Sequence, residues 1–496
     1  MKNLKWTEKP GQALILVLFF LLSICLTAGL SAAETKKPNV VLILSDNLGY
    51  GDVGGAYGGG LIRGAPTPNI DTLAAQGMQF LNFNVETQCT PSRSALMTGR
   101  HPIRSGTYSI PLETSLYGLV PWEITLPKVL SEVGYTCGLF GKWHLGRTQG
   151  RFPTDQGFDV WYGIPDSTDE SMWPEEKEAV NHRDRMPEFM HVMEGRKGEP
   201  SHNLELYDLK MRRLIDTELT RRAIGFMEAS VKAGKPFFAY VPLTQTHYPS
   251  LPHPDFAGKT GAGDYADALV ETDHHVGQIA KTIRRLGVEE NTIFIYTSDN
   301  GPEDPKLGGG AGRKWCGSPG PWSGTYFTAM EGGIRVPFVV RWPGKIPAGR
   351  VSNEIVHIVD IFPTLARLTG ARTPTDRAID GMDQSDFLLG KQEQSNREGF
   401  LVYVNDELYA IKWHNFKSHR VWQETKYDTP QHFSIVPRVV DLMADPHEQY
   451  NVAEFYGWMQ YMMGPMVKDF QESLKKYPPV PMGAPDDYRP GKVNAN

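Results

Sequence analysis

Long apolar runs rich in β-branched residues punctuate the chain, and most of them end on a polar residue. The first is Pro38–Asp46; the others are Tyr135–Lys142, Pro236–Leu243, Thr292–Asp299 and Val336–Trp342. Their lack of polar alternation marks strands covered on both faces. Helical periodicity lies between them. Leu214–Met227 sets Ile215, Leu219, Ala223 and Phe226 on one face, and Leu269–Leu286 does the same with Val276, Ile279 and Ile283. Strands alternating with helices predict an α/β fold, a large, mixed, mostly parallel sheet sandwiched by helices. After Pro374 the pattern changes. Glu398–Gln423 reads as short alternating strands with a hairpin turn at Val404-Asn405-Asp406-Glu407, and Ala453–Lys476 reads as helix. The expected organisation is a catalytic domain over 34–374, a smaller C-terminal α+β subdomain over 375–480 and a loose Pro/Gly/Asp-rich tail over 481–496. Pro165–Pro200, rich in Met, Trp, Glu and His, breaks the alternation; it reads either as a lid at the strand ends or as a surface excursion.

In a parallel sheet the ligand site lies beyond the carboxyl ends of the strands. The residues there are Asp46-Asn47, Lys142 with His144, His247, and Asp299-Asn300. Taken singly, an Asp-Asn pair after a strand is a helix cap. Two such pairs converging on one edge form an oxygen cage for a hard divalent cation such as calcium or magnesium. A histidine trades protons near neutral pH. His253, His274, His275 and His414, which lie in no such setting, read as ordinary hydrogen-bonded residues.

The chain has 496 residues, 40% hydrophobic and 22% charged, enough for a large core and more than one domain. Its net charge of −6 argues against nucleic acid as a partner. Basic Met1–Gln12, apolar Ala13–Leu30 and small Ser31-Ala32-Ala33 predict a signal peptide over 1–33 and export to the periplasm or the extracellular space. The alternative is a retained anchor, the one circumstance in which a membrane would be a partner. No Asn-x-Ser/Thr sequon occurs, which leans toward a bacterial source.

The stretch Cys89-Thr90-Pro91-Ser92-Arg93, continued to Thr98-Gly99-Arg100, resembles the signature of the type I sulfatases. Gly141-Lys142-Trp143-His144-Leu145-Gly146 and Thr246-His247-Tyr248-Pro249 resemble two further family motifs. So do Asn69–Leu73, Glu331–Pro337 and Asp441–Glu448, so that the resemblance runs from Pro38 to about Asn451 and is nearest the arylsulfatase A-like branch. It implies an alkaline phosphatase-like fold and hydrolysis of a small-molecule or glycan sulfate ester, with an aryl or carbohydrate leaving group. It also implies that a formylglycine-generating enzyme oxidises Cys89 to formylglycine, whose hydrate is the nucleophile. One hydroxyl of the hydrate takes the sulfuryl group and the other then expels sulfate, a route closed to a thiolate. On the same resemblance Arg93 holds the modified side chain and Lys142 holds sulfate and nucleophile. His144 is the base of sulfate release, and His247 binds beside the bridging oxygen. Asp46, Asn47, Asp299 and Asn300 hold one divalent cation, calcium ahead of magnesium. With Cys89 converted and Cys25 in the signal, only Cys137 and Cys316 remain to pair.

The chain also departs from the family pattern. Asn47 stands where a second aspartate is usual, and Ser323 stands where a sulfate-binding lysine is expected. Lys314, in the glycine-rich loop Gly308–Gly317, either supplies that charge or is a solvated loop lysine. Ser167 matches a weaker sulfate-contacting position. These departures leave a metal-binding pseudosulfatase as an alternative, alongside formylglycine-dependent hydrolysis of phosphoesters or phosphonate esters.

Overall fold

In a computed structural model, residues 36–110, 116–170, 173–182, 188–303 and 316–490 are described. The expected signal peptide and Lys314 lie outside these residues. From Pro38 onward the chain forms one compact unit. Its centre is an 11-stranded sheet in the order β10-β2-β9-β8-β1-β7-β3-β4-β5-β6, with β11 also paired to β2. The inner strands are β1 (Asn39–Ser45), β3 (Thr136–Lys142), β4 (Val160–Ile164), β7 (Phe237–Pro242) and β8 (Thr292–Ser298). They pair in parallel, so their carboxyl ends form one edge. Toward one side lie β2 (Met78–Asn84), β9 (Arg335–Arg341), β10 (Arg350–Ser352) and β11 (Val356–His357). Toward the other lie β5 (His191–Arg196) and β6 (His202–Leu206). β9 runs antiparallel to both β2 and β8, and β5 runs antiparallel to β4 and β6, which makes the sheet mixed.

Both faces of β1 are covered, as its unbroken apolar run requires. Val40, Leu42 and Leu44 belong to one core with Phe80, Phe338 and Trp143. Val41 and Ile43 belong to the opposite core with Ile215, Leu219, Val276 and Ile279, which come from the helices Leu209–Lys232 and Asp264–Arg285. Hydrophobic burial on both faces is the main driving force of such a layered unit.

The C-terminal part builds a four-stranded antiparallel sheet from β12 (Gly399–Val404), β13 (Glu407–Trp413), β14 (Phe416–His419) and β17 (Arg438–Asp441). The short β15 (Val421–Trp422) and β16 (Gln431–His432) pair separately. The two-residue hairpin turn falls at Asn405-Asp406, where Asn405 takes a left-handed φ of 53°. The helix Gln460–Lys476 covers one face of this sheet through Met463 and Val467. The stretch expected to be a loose tail is docked as far as it is described. Arg151 holds the Ala484 carbonyl and the Asp486 carboxylate, and Trp122 donates to the Tyr488 carbonyl at 2.6 Å.

Candidate active site

Cys89 opens the helix Cys89–Thr98, and Arg93 follows one turn later on the same face. The Arg93 guanidinium donates to Asp299 Oδ2 from Nε and Nη2, at 3.0 and 2.7 Å, and to the Lys142 carbonyl at 2.9 Å. The helix that bears the cysteine is thereby fixed to the ends of β8 and β3. Lys142 Nζ donates to Asp46 Oδ2 at 2.9 Å and to Ser167 Oγ at 3.0 Å. Cys89 Sγ lies 3.6 Å from both Asp46 Oδ1 and Asn47 Oδ1. Asp46, Cys89 and His247 bring one possible metal-ligating atom each within 4.8 Å of one another. These side chains, with His144, Asp299 and Asn300, are all between 0% and 3% exposed, so every charge among them must be matched locally.

Local backbone conformation sets this convergence. A Cβ on Gly141 would lie 1.9 Å from the Pro242 carbonyl, so glycine alone lets β3 bring Lys142 so close beside β7. Trp143 then turns into the core while Lys142 and His144 stay at the sheet edge. His144 and Asn47 both adopt left-handed backbone, with φ of 57° and 56°. Such strained residues gather where function over-determines the chain. The His144 carbonyl accepts from Thr90 Oγ1 at 3.0 Å, which ties this turn to the residue after Cys89.

The two imidazoles are held differently. His247 donates from Nδ1 to the Tyr248 carbonyl at 2.7 Å, leaving Nε2 3.3 Å from Ser167 Oγ and 3.5 Å from Asp169 Oδ1. His144 uses Nε2, 3.3 Å from Glu170 Oε1, and its buried Nδ1 has no hydrogen-bond partner among the described residues.

Charges in the pocket perturb one another. Burial disfavours ionised Asp46, but Lys142, His247 and Arg93 outweigh it and hold the carboxyl well below its usual range. Burial and the nearby Asp46 carboxylate push Asp299 up, against Arg93 and Lys142. Burial raises the Cys89 thiol well above the ordinary thiol range, with Asp299 and Asp46 adding to it. A thiol in that state is a poor nucleophile.

Ser167, a minor candidate from sequence, sits between Lys142 and His247. Ser323 instead lies 3.3 Å from His447. Cys137 and Cys316 do not form a disulfide with each other. Three acids were not expected at the site. Asp169 and Glu170 face the histidines, and Glu303 Oε1 accepts from Asn47 Nδ2 at 3.1 Å and from the Tyr248 N–H at 3.0 Å. Their only signal in the sequence is proximity, since Asp169 and Glu170 closely follow Ser167 and Glu303 closely follows Asp299.

A family model described as Sulfatase matches residues 38–371. The chain belongs to the sulfatase family. A second model, N-sulphoglucosamine sulphohydrolase, C-terminal, matches residues 326–477. The N-acetylgalactosamine-6-sulfatase of Canis lupus familiaris is 34% identical to this sulfatase, covering 92% of the chain and 90% of its own length. Human arylsulfatase A is 35% identical, over 87% and 86% of the two chains. The crystal structure of a Pseudoalteromonas sp. sulfatase superposes with a TM-score of 0.83 at 31% identity, covering 96% of each chain. The sulfatase is a sulfuric ester hydrolase, releasing alcohol and sulfate. A phosphonate monoester hydrolase of Agrobacterium radiobacter, with a TM-score of 0.56 at 20% identity, shares the fold alone.

Proposed function

We propose that this sulfatase hydrolyses a carbohydrate or aryl sulfate monoester through a formylglycine made from Cys89, with one calcium ion at Asp46, Asn47, Asp299 and Asn300. Export to the periplasm or the extracellular space, and maturation by a formylglycine-generating enzyme, belong to the same proposal. The names of its relatives span both leaving-group classes, a sugar sulfatase and an arylsulfatase. The observation that carries the reading is one connected cluster: Cys89 lies against the side-chain oxygens of Asp46 and Asn47, Lys142 donates to Asp46, and Ser167 links Lys142 to His247.

The donor set fits a hard cation. It offers two buried carboxylates, the Asn47 amide oxygen beside Cys89, and Asn300 Oδ1, a buried acceptor with no hydrogen-bond partner among the described residues. Calcium suits such an all-oxygen set, because it accepts irregular geometry more readily than magnesium. When bound, the ion neutralises the paired acids and polarises the sulfate oxygens. The modified side chain supplies the hydroxyl that attacks sulfur and a second one for release.

The remaining steps belong to the chain's own residues. Lys142 and Ser167 donate to sulfate oxygens from positions already fixed, so little reorganisation is needed as charge spreads. His247, with Nδ1 committed to the Tyr248 carbonyl, presents Nε2 to the bridging oxygen and gives the departing alcohol its proton. His144 then takes the proton of the second hydroxyl as sulfate leaves. Turnover of an aryl and a sugar sulfate tests the scheme. Cys89→Ala and Asp299→Ala should both fall to background, and chelation should inactivate slowly, with calcium restoring more activity than magnesium. Full turnover in the Cys89→Ala protein, or indifference to thorough chelation, contradicts it.

A further inference from the structure

Glu170 closes the short 3-10 turn Thr168–Glu170 just beyond β4, at the start of the segment that breaks the strand–helix alternation. Its two carboxylate oxygens are divided between two tasks. Oε2 accepts from the Ser167 backbone N–H at 3.0 Å, and Oε1 lies 3.3 Å from His144 Nε2. Burial opposes its charge, but the His144 ring and the Ser167 N–H outweigh it, so Glu170 ionises below its ordinary range. An ionised carboxylate only accepts, so the nitrogen facing it must carry the proton. In the neutral ring the lone pair then resides on Nδ1.

That nitrogen is buried and unpartnered among the described residues, a costly condition for a polar atom. The rest of His144 is pinned. Its N–H donates to the Pro165 carbonyl at 2.8 Å, and its carbonyl accepts from Thr90 Oγ1 at 3.0 Å and Tyr117 Oη at 3.3 Å. His247, by contrast, commits Nδ1 to the Tyr248 carbonyl and turns Nε2 toward Ser167 Oγ, 3.3 Å away. The two histidines of one pocket are therefore anchored through opposite nitrogens, His247 by Nδ1 and His144 by Nε2.

We infer that Glu170 is a positioning residue for the second half of the reaction: it selects the Nε2–H tautomer of His144, reserves Nδ1 as the proton acceptor, and stabilises the imidazolium that forms. This rests on the base role proposed above for His144. The step balances within residue 89. The proton of its free hydroxyl moves to Nδ1, and the O–H electron pair closes the C=O bond. The C–O bond to sulfate breaks with its pair leaving on sulfate. Nδ1 returns the proton to solvent, and one water then rehydrates the aldehyde. A carboxylate behind an imidazole orients it and fixes its tautomer in the same way in other acyl- and group-transfer sites.

Two measurements test this. In Cys89→Ala protein labelled with 15N-histidine, ring nitrogen shifts report tautomers directly, and loss of signals in His144→Ala assigns the ring. His144 should be the Nε2–H form, and adding Glu170→Ala should convert it wholly or partly to Nδ1–H. In mature enzyme, rapid-quench kinetics should show the alcohol burst intact in Glu170→Ala and Glu170→Gln. Sulfate release should be slowed about tenfold or more, the scale of a compromised general base, with sulfate-bearing peptide 89 accumulating. An unchanged tautomer, or equal slowing of both steps, overturns the inference. The His144→Ala enzyme separates the two ideas. If it traps no sulfate, the base role fails and takes the inference with it. If it traps sulfate while Glu170→Ala releases it at the wild-type rate, only the role of Glu170 fails.

Discussion

Within the pocket, charges are paired before substrate arrives. Arg93 is bonded to Asp299 and lies 3.5 Å from Asp46 Oδ1, while Lys142 is bonded to Asp46, so two buried cations meet two buried carboxylates. A sulfate ester adds a further negative charge, and a buried unpaired charge is expensive. The divalent ion proposed for the four oxygen donors would more than offset that charge. The proposed scheme has the histidines act at opposite ends of the reaction, which makes their variants distinguishable. His247→Ala should slow the first release of alcohol, by about 100-fold or more for a sugar sulfate. An activated aryl ester, whose alcohol needs little protonation, should suffer much less. Burst kinetics with the two esters measure this, and an equal loss for both would remove His247 from leaving-group protonation.

Elements covered on both faces were legible from sequence. β1, β3, β7 and β8 fall within the expected apolar runs, because a strand buried on both faces must be apolar throughout. The run over Val336–Trp342 is also a strand, but its antiparallel direction depends on how the chain returns after β8, which periodicity does not encode. β2 escaped notice because Gln79, Asn82 and Asn84 interrupt it, although all three are buried. Asn82 and Asn84 are polar for a tertiary reason, since they accept from Lys412 Nζ at 2.8 and 3.0 Å. The segment after Pro165 divides: its first residues enter the site, and its later ones form β5, which lies between β4 and β6. The same logic governs the site. Residues at strand ends could be named from sequence, as the fold dictates where strands end. Asp169, Glu170 and Glu303 could not, because their contacts arise from loop geometry.

At the scale of the molecule, two family motifs prove to be joints rather than chemistry. Glu331 accepts from Lys412 at 2.7 Å, Lys417 at 3.1 Å and Arg335 at 3.1 Å, all buried, and joins β9 to the C-terminal sheet. Glu448 completes the joint, accepting from the Glu331 N–H at 2.6 Å and lying 2.6 Å from His419 Nε2. Burial opposes the Glu331 charge, but Lys412, Lys417 and Arg335 outweigh it and hold the carboxyl below its ordinary value of 4.5. A lowered carboxyl contributes stability that is complete above its unfolded value and lost as pH falls through its folded one. Glu331→Gln should therefore cost about 3–5 kcal/mol at neutral pH, the scale for breaking a buried ion pair. The deficit should shrink as pH is lowered beneath 4.5, as denaturant melts at several pH values would show, whereas a pH-independent deficit would contradict the assignment. Residue 89 is central to the proposed chemistry; it stands at a helix start, where burial raises its thiol well above the ordinary range. The most direct measurement is the mass of the peptide containing residue 89, taken from enzyme purified from its native host. The account predicts that the mass falls by the difference between a thiol and an aldehyde, in proportion to the active fraction. Fully active enzyme that carries only unmodified Cys89 would contradict it.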